Sequence, residues 1–207
     1  EIRAPTVTTL YAMEFLVDAV DAERRLLWIA AGTAFKELHV WSFPVERVND
    51  DSSARLQEPS RLKGHLGVVC RAKWSPDGRR IATVSDDRTV RLWERPEGQA
   101  GDADATEKDA SLWVGWGHTG RVWDVVWLSK AFGEVATAGE DRSVRIWDGA
   151  GRCISALVAH RGISIWRLAS AGSFLFSGGN DGDVKQWSLE TAISHARAGE
   201  ESEQQLH

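Results

Sequence analysis

Gly64-His65, then Ser85-Asp86-Asp87, then Val90-Arg91-Leu92-Trp93-Glu94 mark a stretch that this chain repeats twice more. The second copy runs from Gly117-His118 through Glu140-Asp141 to Trp147-Asp148. The third runs from Ala159-His160 through Asn180-Asp181 to Trp187-Ser188. Trp follows His after 27 to 29 residues, and in each copy an Asp stands six residues before that Trp. Self-similarity at a fixed period marks a fold of stacked units, none of which buries its apolar face alone.

Inside each copy three short apolar runs read as strands. In the first these are Val68–Trp74, Arg80–Ser85 and Thr89–Trp93. Ser75-Pro76-Asp77-Gly78 turns the chain between them, because Pro presets φ and Gly accepts a positive one. The second copy gives Arg121–Trp127, Glu134–Ala138 and Ser143–Trp147; the third gives Ile163–Leu168, Ser173–Ser177 and Asp183–Trp187. Ahead of these, residues 8–43 read as strands ending in Trp41-Ser42. Phe35 stands where the turn Asp belongs, so this copy is degenerate. The expected division is therefore a degenerate unit and loop at 1–60 and a regular unit at 61–95. An acidic insertion at 96–112, units at 113–150 and 151–188, and a polar tail at 189–207 complete it.

The Gly-His, Asp and Trp landmarks resemble WD40 repeats. That resemblance implies an all-β fold, a partial β-propeller with three clear blades and one degenerate. A WD40 unit takes ~40–45 residues and a propeller has 4–8 blades. Four blades lie at the lower limit and the sequence opens on Glu1, so a piece of a longer chain is expected. The resemblance also implies a buried hydrogen-bond chain of His, strand Ser/Thr, Asp and Trp in each blade. The first copy offers His65, Ser85, Asp87 and Trp93. The second keeps His118, Asp141 and Trp147 but has Gly139 at the Ser position. The third keeps His160, Asp181 and Trp187 but has Gly179, so both chains are expected to be incomplete there. Buried groups of this kind are tolerable only when each finds a partner.

Composition excludes several function classes. Cys70 and Cys153 are the only cysteines and form no CxxC, which argues against a disulfide scaffold and a zinc site. No apolar run is long enough to span a bilayer, and no signal-peptide layout opens the chain, so cytoplasm or nucleus is the expected setting, with cytoplasm the choice. No nucleophile elbow, P-loop, His-Glu-x-x-His or dinucleotide fingerprint is present. No enzyme activity, catalytic residue, metal or cofactor is expected. The net charge of −5 is uneven: residues 61–95 hold nine Arg/Lys against four acids, while 96–112 hold five acids and one Lys. The basic stretch reads as a solvated face rather than an RNA site.

Eleven Trp against one Tyr exceeds what one Trp per repeat explains. Trp113, Trp116, Trp123, Trp127 and Trp166 are the surplus. Propellers bind through side chains at the start of each inner strand and just before the turn Asp. Those positions are Val68, Cys70 and Asp86; Arg121, Trp123 and Glu140; and, allowing one inserted residue, Ser164, Trp166 and Asn180. Arg121, Trp123, Glu140, Ser164, Trp166 and Asn180 are the candidate partner-binding residues, since Trp and Arg dominate interface hot spots. Core packing between blades is the competing reading for the two Trp, and a solvated rim for Arg121.

Three stretches are less generic: Gly117-His118-Thr119-Gly120-Arg121-Val122-Trp123-Asp124, then Ala138-Gly139-Glu140-Asp141, then His160-Arg161-Gly162-Ile163-Ser164-Ile165-Trp166 with Ser177-Gly178-Gly179-Asn180-Asp181. Their order resembles the WD repeat-containing protein 6 family, regulatory partners of the methyltransferase that modifies wobble-position riboses of tRNA. The resemblance implies a non-catalytic scaffold whose partner is a tRNA ribose methyltransferase, with tRNA reached through that complex. It implies no membrane and no small-molecule substrate. A generic WD40 adaptor, in a ubiquitin-ligase, chromatin or signalling assembly, is the alternative.

Overall fold

The computed structural model describes residues 9–19, 25–45, 58–96, 111–129, 131, 134–158 and 160–194. Most of the acidic insertion (97–110) and of the polar tail (195–207) lies outside the described residues. Fifteen strands among them form four antiparallel sheets, each a meander in chain order. The first sheet holds β1 (Leu10–Ala19), β2 (Arg25–Thr33), β3 (Glu37–Pro44) and β4 (Ser60–Lys63). The second holds β5 (Val69–Trp74), β6 (Arg80–Ser85), β7 (Val90–Glu94) and β8 (Ser111–Gly115). The third holds β9 (Val122–Trp127), β10 (Val135–Gly139), β11 (Ser143–Trp147) and β12 (Cys153–Val158). The fourth holds β13 (Ile165–Ala171), β14 (Phe174–Gly179) and β15 (Val184–Ser188).

The sequence repeat is thus offset from the sheet by one strand. Each His stands in the connection leaving one sheet, and its Asp and Trp belong to the next. The outer strands β4, β8 and β12 are not legible in the sequence as strands. Ser60-Arg61-Leu62-Lys63 buries only Leu62, so its apolar signal is a single residue.

The chain divides into two compact units, one of residues 1–87 with 91–112 and one of residues 88–90 with 113–207. In the first unit Trp28, Ala30, Leu38, Val40 and Leu62 of the first sheet share a core with Ala72, Trp74, Ile81 and Trp93 of the second. Trp28 and Trp74 meet edge to face at 6.2 Å. At the rim Lys73 Nζ donates to both Glu14 carboxylate oxygens at 2.9 Å, and the Trp74 indole N–H donates to the Glu14 carbonyl at 3.3 Å.

In the second unit Leu128, Ala136, Ala138, Val144 and Ile146 pack on Ile165, Leu168, Leu175 and Leu189. Asp124 is buried in this core, where burial of a carboxylate demands partners. It accepts the N–H of Val125 at 3.1 Å and, across the sheets, that of Leu168 at 2.9 Å. Residues 189–194 are helical, although the sequence reading places them in a polar tail. Leu189, Ala192 and Ile193 are buried there, and Ser155 Oγ donates to the Ala192 carbonyl at 2.9 Å. Among the described residues no helix is long and apolar enough to cross a membrane.

Candidate partner-binding face

Each repeat carries one relay of polar groups from strand to turn. In the second sheet the Trp93 indole N–H donates to Thr83 Oγ1 (2.7 Å), Thr83 Oγ1 meets His65 Nε2 (2.8 Å), and His65 Nδ1 meets Asp87 Oδ2 (2.9 Å). In the third, Trp147, Thr137, His118 and Asp141 are linked the same way at 2.8, 2.8 and 2.8 Å. In the fourth, Trp187, Ser177, His160 and Asp181 follow at 2.8, 2.8 and 3.0 Å. The indole can only donate, so the hydroxyl accepts from it and keeps its own proton free to point at Nε2. With the hydroxyl proton turned to Nε2, the ring N–H is the one on Nδ1, facing the carboxylate. The Asp then anchors the connection: its carboxylate accepts the N–H of Leu66, Thr119 and Arg161 respectively.

The hydroxyl in this relay is not Ser85. Ser85 Oγ accepts the N–H of Asp87 at 3.1 Å, outside the link between His and Trp. Thr83 lies two residues earlier on the same strand face, because side chains on a strand repeat with period two. It stands ten residues before its Trp, as Thr137 and Ser177 do. Gly139 and Gly179 therefore break nothing: the relays of the third and fourth sheets are complete.

Burial lowers the pKa of His118 below 6.5, against the raising pull of its hydrogen bond to Asp141. Burial would raise that of Asp141, but the hydrogen bonds from His118 and Ser143 outweigh it and hold the carboxyl below the usual range. The hydrogen bond from His160 comes first among the causes that depress Asp181. A His with a lowered folded pKa gives full stability above about 6.5, because below it the unfolded chain takes the proton first. The depressed Asp groups add stability above about 3.9 that is lost as pH falls further. Urea unfolding is expected to show lower stability at pH 5.5 than at pH 7.5 on account of this His. His118→Gln should flatten that slope; a slope rising toward acid would contradict the assignment.

The candidate face stands on a backbone irregularity that recurs in three sheets. Val69 pairs with Ser85 and Arg71 with Val84, leaving Cys70 as an extra residue. Trp123 is extra between the pairs Gly139–Val122 and Ala138–Asp124, and Trp166 between Ile165–Gly179 and Arg167–Gly178. A β-bulge of this kind re-aims its side chain and is frequent beside functional sites. The residue before the turn Asp closes each bulge: Asp86, Glu140 and Asn180 donate their N–H to the carbonyls of Val68, Arg121 and Ser164 at 3.0, 2.8 and 3.1 Å. The one-residue insertion of the third copy falls at Gly162-Ile163, whose Ile163 is exposed.

Trp123 and Trp166 come together, ring centroids 5.2 Å apart and tilted by 35°. Trp166 is 44% exposed, and the Trp123 indole N–H is buried without a hydrogen-bond partner. The pair is thus neither pure core nor fully solvated. Arg121 and Glu140 flank it as an exposed, loose ion pair at 4.0 Å, of little energetic worth. Asn180 and Ser164 are placed differently from free contact residues. Asn180 Oδ1 accepts the N–H of Ile163 (2.7 Å) and Ser164 (3.0 Å), so it shapes the loop, and Ser164 is buried. In the first unit Cys70 Sγ donates to Asp86 Oδ1 at 3.3 Å instead of presenting an aromatic ring. Of the other surplus Trp, Trp113 packs against the turn at Gly151, where φ is +79° and a Cβ would press on the ring. The Trp127 carbonyl accepts Ser170 Oγ at 2.9 Å, and Trp116 is exposed. Among the described residues no three His, Cys, Asp or Glu side chains gather where they could hold a metal ion.

Comparison with known proteins places these features. The profile described as WD domain, G-beta repeat matches residues 56–94, 111–148 and 151–188. The chain is 30% identical over 166 residues to the mouse tRNA (34-2'-O)-methyltransferase regulator WDR6, covering 79% of this chain and 14% of that protein. It is 31% identical over 180 residues to the Drosophila melanogaster protein of the same name, covering 83% and 17%. The chain therefore spans about one seventh of the length of these curated relatives. The WD40 β-propeller domain of Doa1 superposes with a TM-score of 0.62 at 15% identity, over 90% of this chain and 67% of that one. Three profile matches spanning more than half the residues, on four meandering sheets, establish that this chain belongs to the WD40 repeat family.

Proposed function

We propose that this chain is a non-catalytic WD40 segment of a cytoplasmic regulator of tRNA wobble-position ribose 2'-O-methylation. The observation that carries this reading is its similarity, over about four fifths of its length, to proteins named as regulators of that methyltransferase. The segment binds the methyltransferase and holds it in register with the tRNA. The enzyme supplies the methyl-transfer chemistry, and the regulator supplies orientation, which lowers a barrier without any catalytic group of its own. The Trp123–Trp166 pair is the contact offered to the enzyme. It joins two large rings to an indole N–H that lacks an acceptor, and such desolvated aromatic anchors dominate protein interfaces.

The test is affinity recovery of the complete gene product from cell extract, with and without RNase. A tRNA ribose methyltransferase is expected in both samples. Trp123→Ala with Trp166→Ala should weaken its capture about tenfold. Recovery of ubiquitin-ligase or chromatin subunits without a methyltransferase would replace this reading with that of a generic adaptor.

A further inference from the structure

The Trp123 indole holds a buried donor that no group among the described residues satisfies. Its Nε1 is out of water and lacks an acceptor, while the ring that meets it, Trp166, is 44% exposed. An unpaired buried N–H costs stability, so its retention asks for a reason. The other indoles in this state differ in setting. Trp28 and Trp41 each meet a ring that is itself buried, Trp74 and His39 respectively, and Trp113 is pressed on the turn at Gly151. Trp123 lies against a ring that faces solvent. Around this pair positive charge is left over. Arg121 faces Glu140 only loosely, at 4.0 Å. Arg161 stands in the loop that leads to Trp166, and Arg167 follows Trp166, with Nη1 donating to the Trp166 carbonyl at 2.7 Å. Both are exposed, and among the described residues neither forms an ion pair. Neighbouring acids are committed elsewhere: Asp181 accepts from His160 and from the Arg161 N–H, and Asp124 from the N–H groups of Val125 and Leu168.

We propose that the Trp123 N–H is held for a carboxylate of the partner protein, which Trp166 admits by turning aside. Exposed side chains change rotamer within picoseconds to nanoseconds, so this opening does not limit association. The incoming oxygen accepts the indole N–H and draws Arg121 away from Glu140. Hydrogen bonds to an ionised acceptor are about twice as strong as neutral ones, and the leftover positive charge favours an anion over a neutral carbonyl. Ile163, 73% exposed and three residues before Trp166, adds apolar surface to the same contact. The matching surface is therefore one Asp or Glu set among apolar side chains. This inference rests on the reading of the Trp pair as the contact with the methyltransferase, and supplies the chemistry of that contact.

The test measures the affinity of the purified tRNA ribose methyltransferase for the complete gene product. Trp123→Phe keeps an aromatic ring and removes the N–H. It is expected to weaken binding about tenfold, as loss of a hydrogen bond to a charged group does. Exposed Asp and Glu residues of the methyltransferase are then replaced by Ala one at a time. One of them should weaken binding to the parent chain by a similar factor and leave binding to Trp123→Phe unchanged. That coupling identifies the bond, because a purely structural loss at Trp123 would add to every partner variant alike. Equal affinity of the parent and Trp123→Phe would overturn the inference, and so would a scan without a coupled carboxylate. Parent-like binding by Trp123→Ala with Trp166→Ala would show that the Trp pair is not the contact, which overturns the inference and leaves the tRNA-methylation reading standing. A parent chain that does not bind the methyltransferase at all would remove that reading, and this inference with it.

Discussion

Thr137→Val is expected to destabilise the second unit by about 2–6 kcal/mol, although the two side chains have nearly the same shape. Thr137 is fully buried between Trp147 and His118. Valine leaves no cavity, so the cost is electrostatic: the indole N–H and His118 Nε2 both lose their partner. Each buried polar group left unpaired costs about 1–3 kcal/mol. The sum is a large share of the 5–15 kcal/mol that holds a typical domain folded. Thr83→Val should behave alike in the first unit. Ser85→Ala removes one hydrogen bond to the Asp87 N–H and should cost about 1 kcal/mol. Urea unfolding of the three variants decides the matter. Equal losses for Thr83→Val and Ser85→Ala would show that the relay does not run through Thr83.

Gly139→Ser is expected to lower stability by about 1–3 kcal/mol, the usual cost of overpacking, and hence lower Tm by several degrees. A reading of the repeat alone expects the opposite, since serine would fill the position that Ser85 holds in the preceding sheet. The structure removes that benefit, because Thr137 already supplies the hydroxyl and Ser143 Oγ donates to Asp141 at 2.7 Å. It also adds a cost. A Cβ at residue 139 overlaps the Arg121 carbonyl oxygen, which is fixed by accepting the Glu140 N–H at 2.8 Å. Gly179 is similarly hemmed in, with a Cβ lying 2.8 Å from His160 Nδ1. A Gly139→Ser chain that melts at or above the parent temperature would refute this account.

These two variants mark where the sequence runs out. The landmark His, Asp and Trp are legible because their spacing barely varies between copies. The repeat places the hydroxyl between them two residues too late, since Thr83 and Ser85 share a strand face and periodicity does not separate them. The outer strands and residues 189–194 escape for a related reason: each buries only a few apolar residues, too few to set a period. The candidate face is legible in part. The sequence singles out Trp123 and Trp166 as surplus. It does not show that both are bulge residues, nor that Asn180, offered as a contact, spends its carbonyl oxygen on Ile163 and Ser164.

By itself the sequence determined the class of fold and its repeat. A buried His, Asp and Trp must recur at fixed distances if each sheet is to satisfy its polar groups, and such spacing survives in one dimension. Only the tertiary structure decided which hydroxyl joins them, which glycines are required, and which aromatic rings meet. Those outcomes depend on contacts between residues 43 apart, such as Trp123 and Trp166. A pairing of that kind is set by the stacking of two sheets, and stacking leaves no period in the chain.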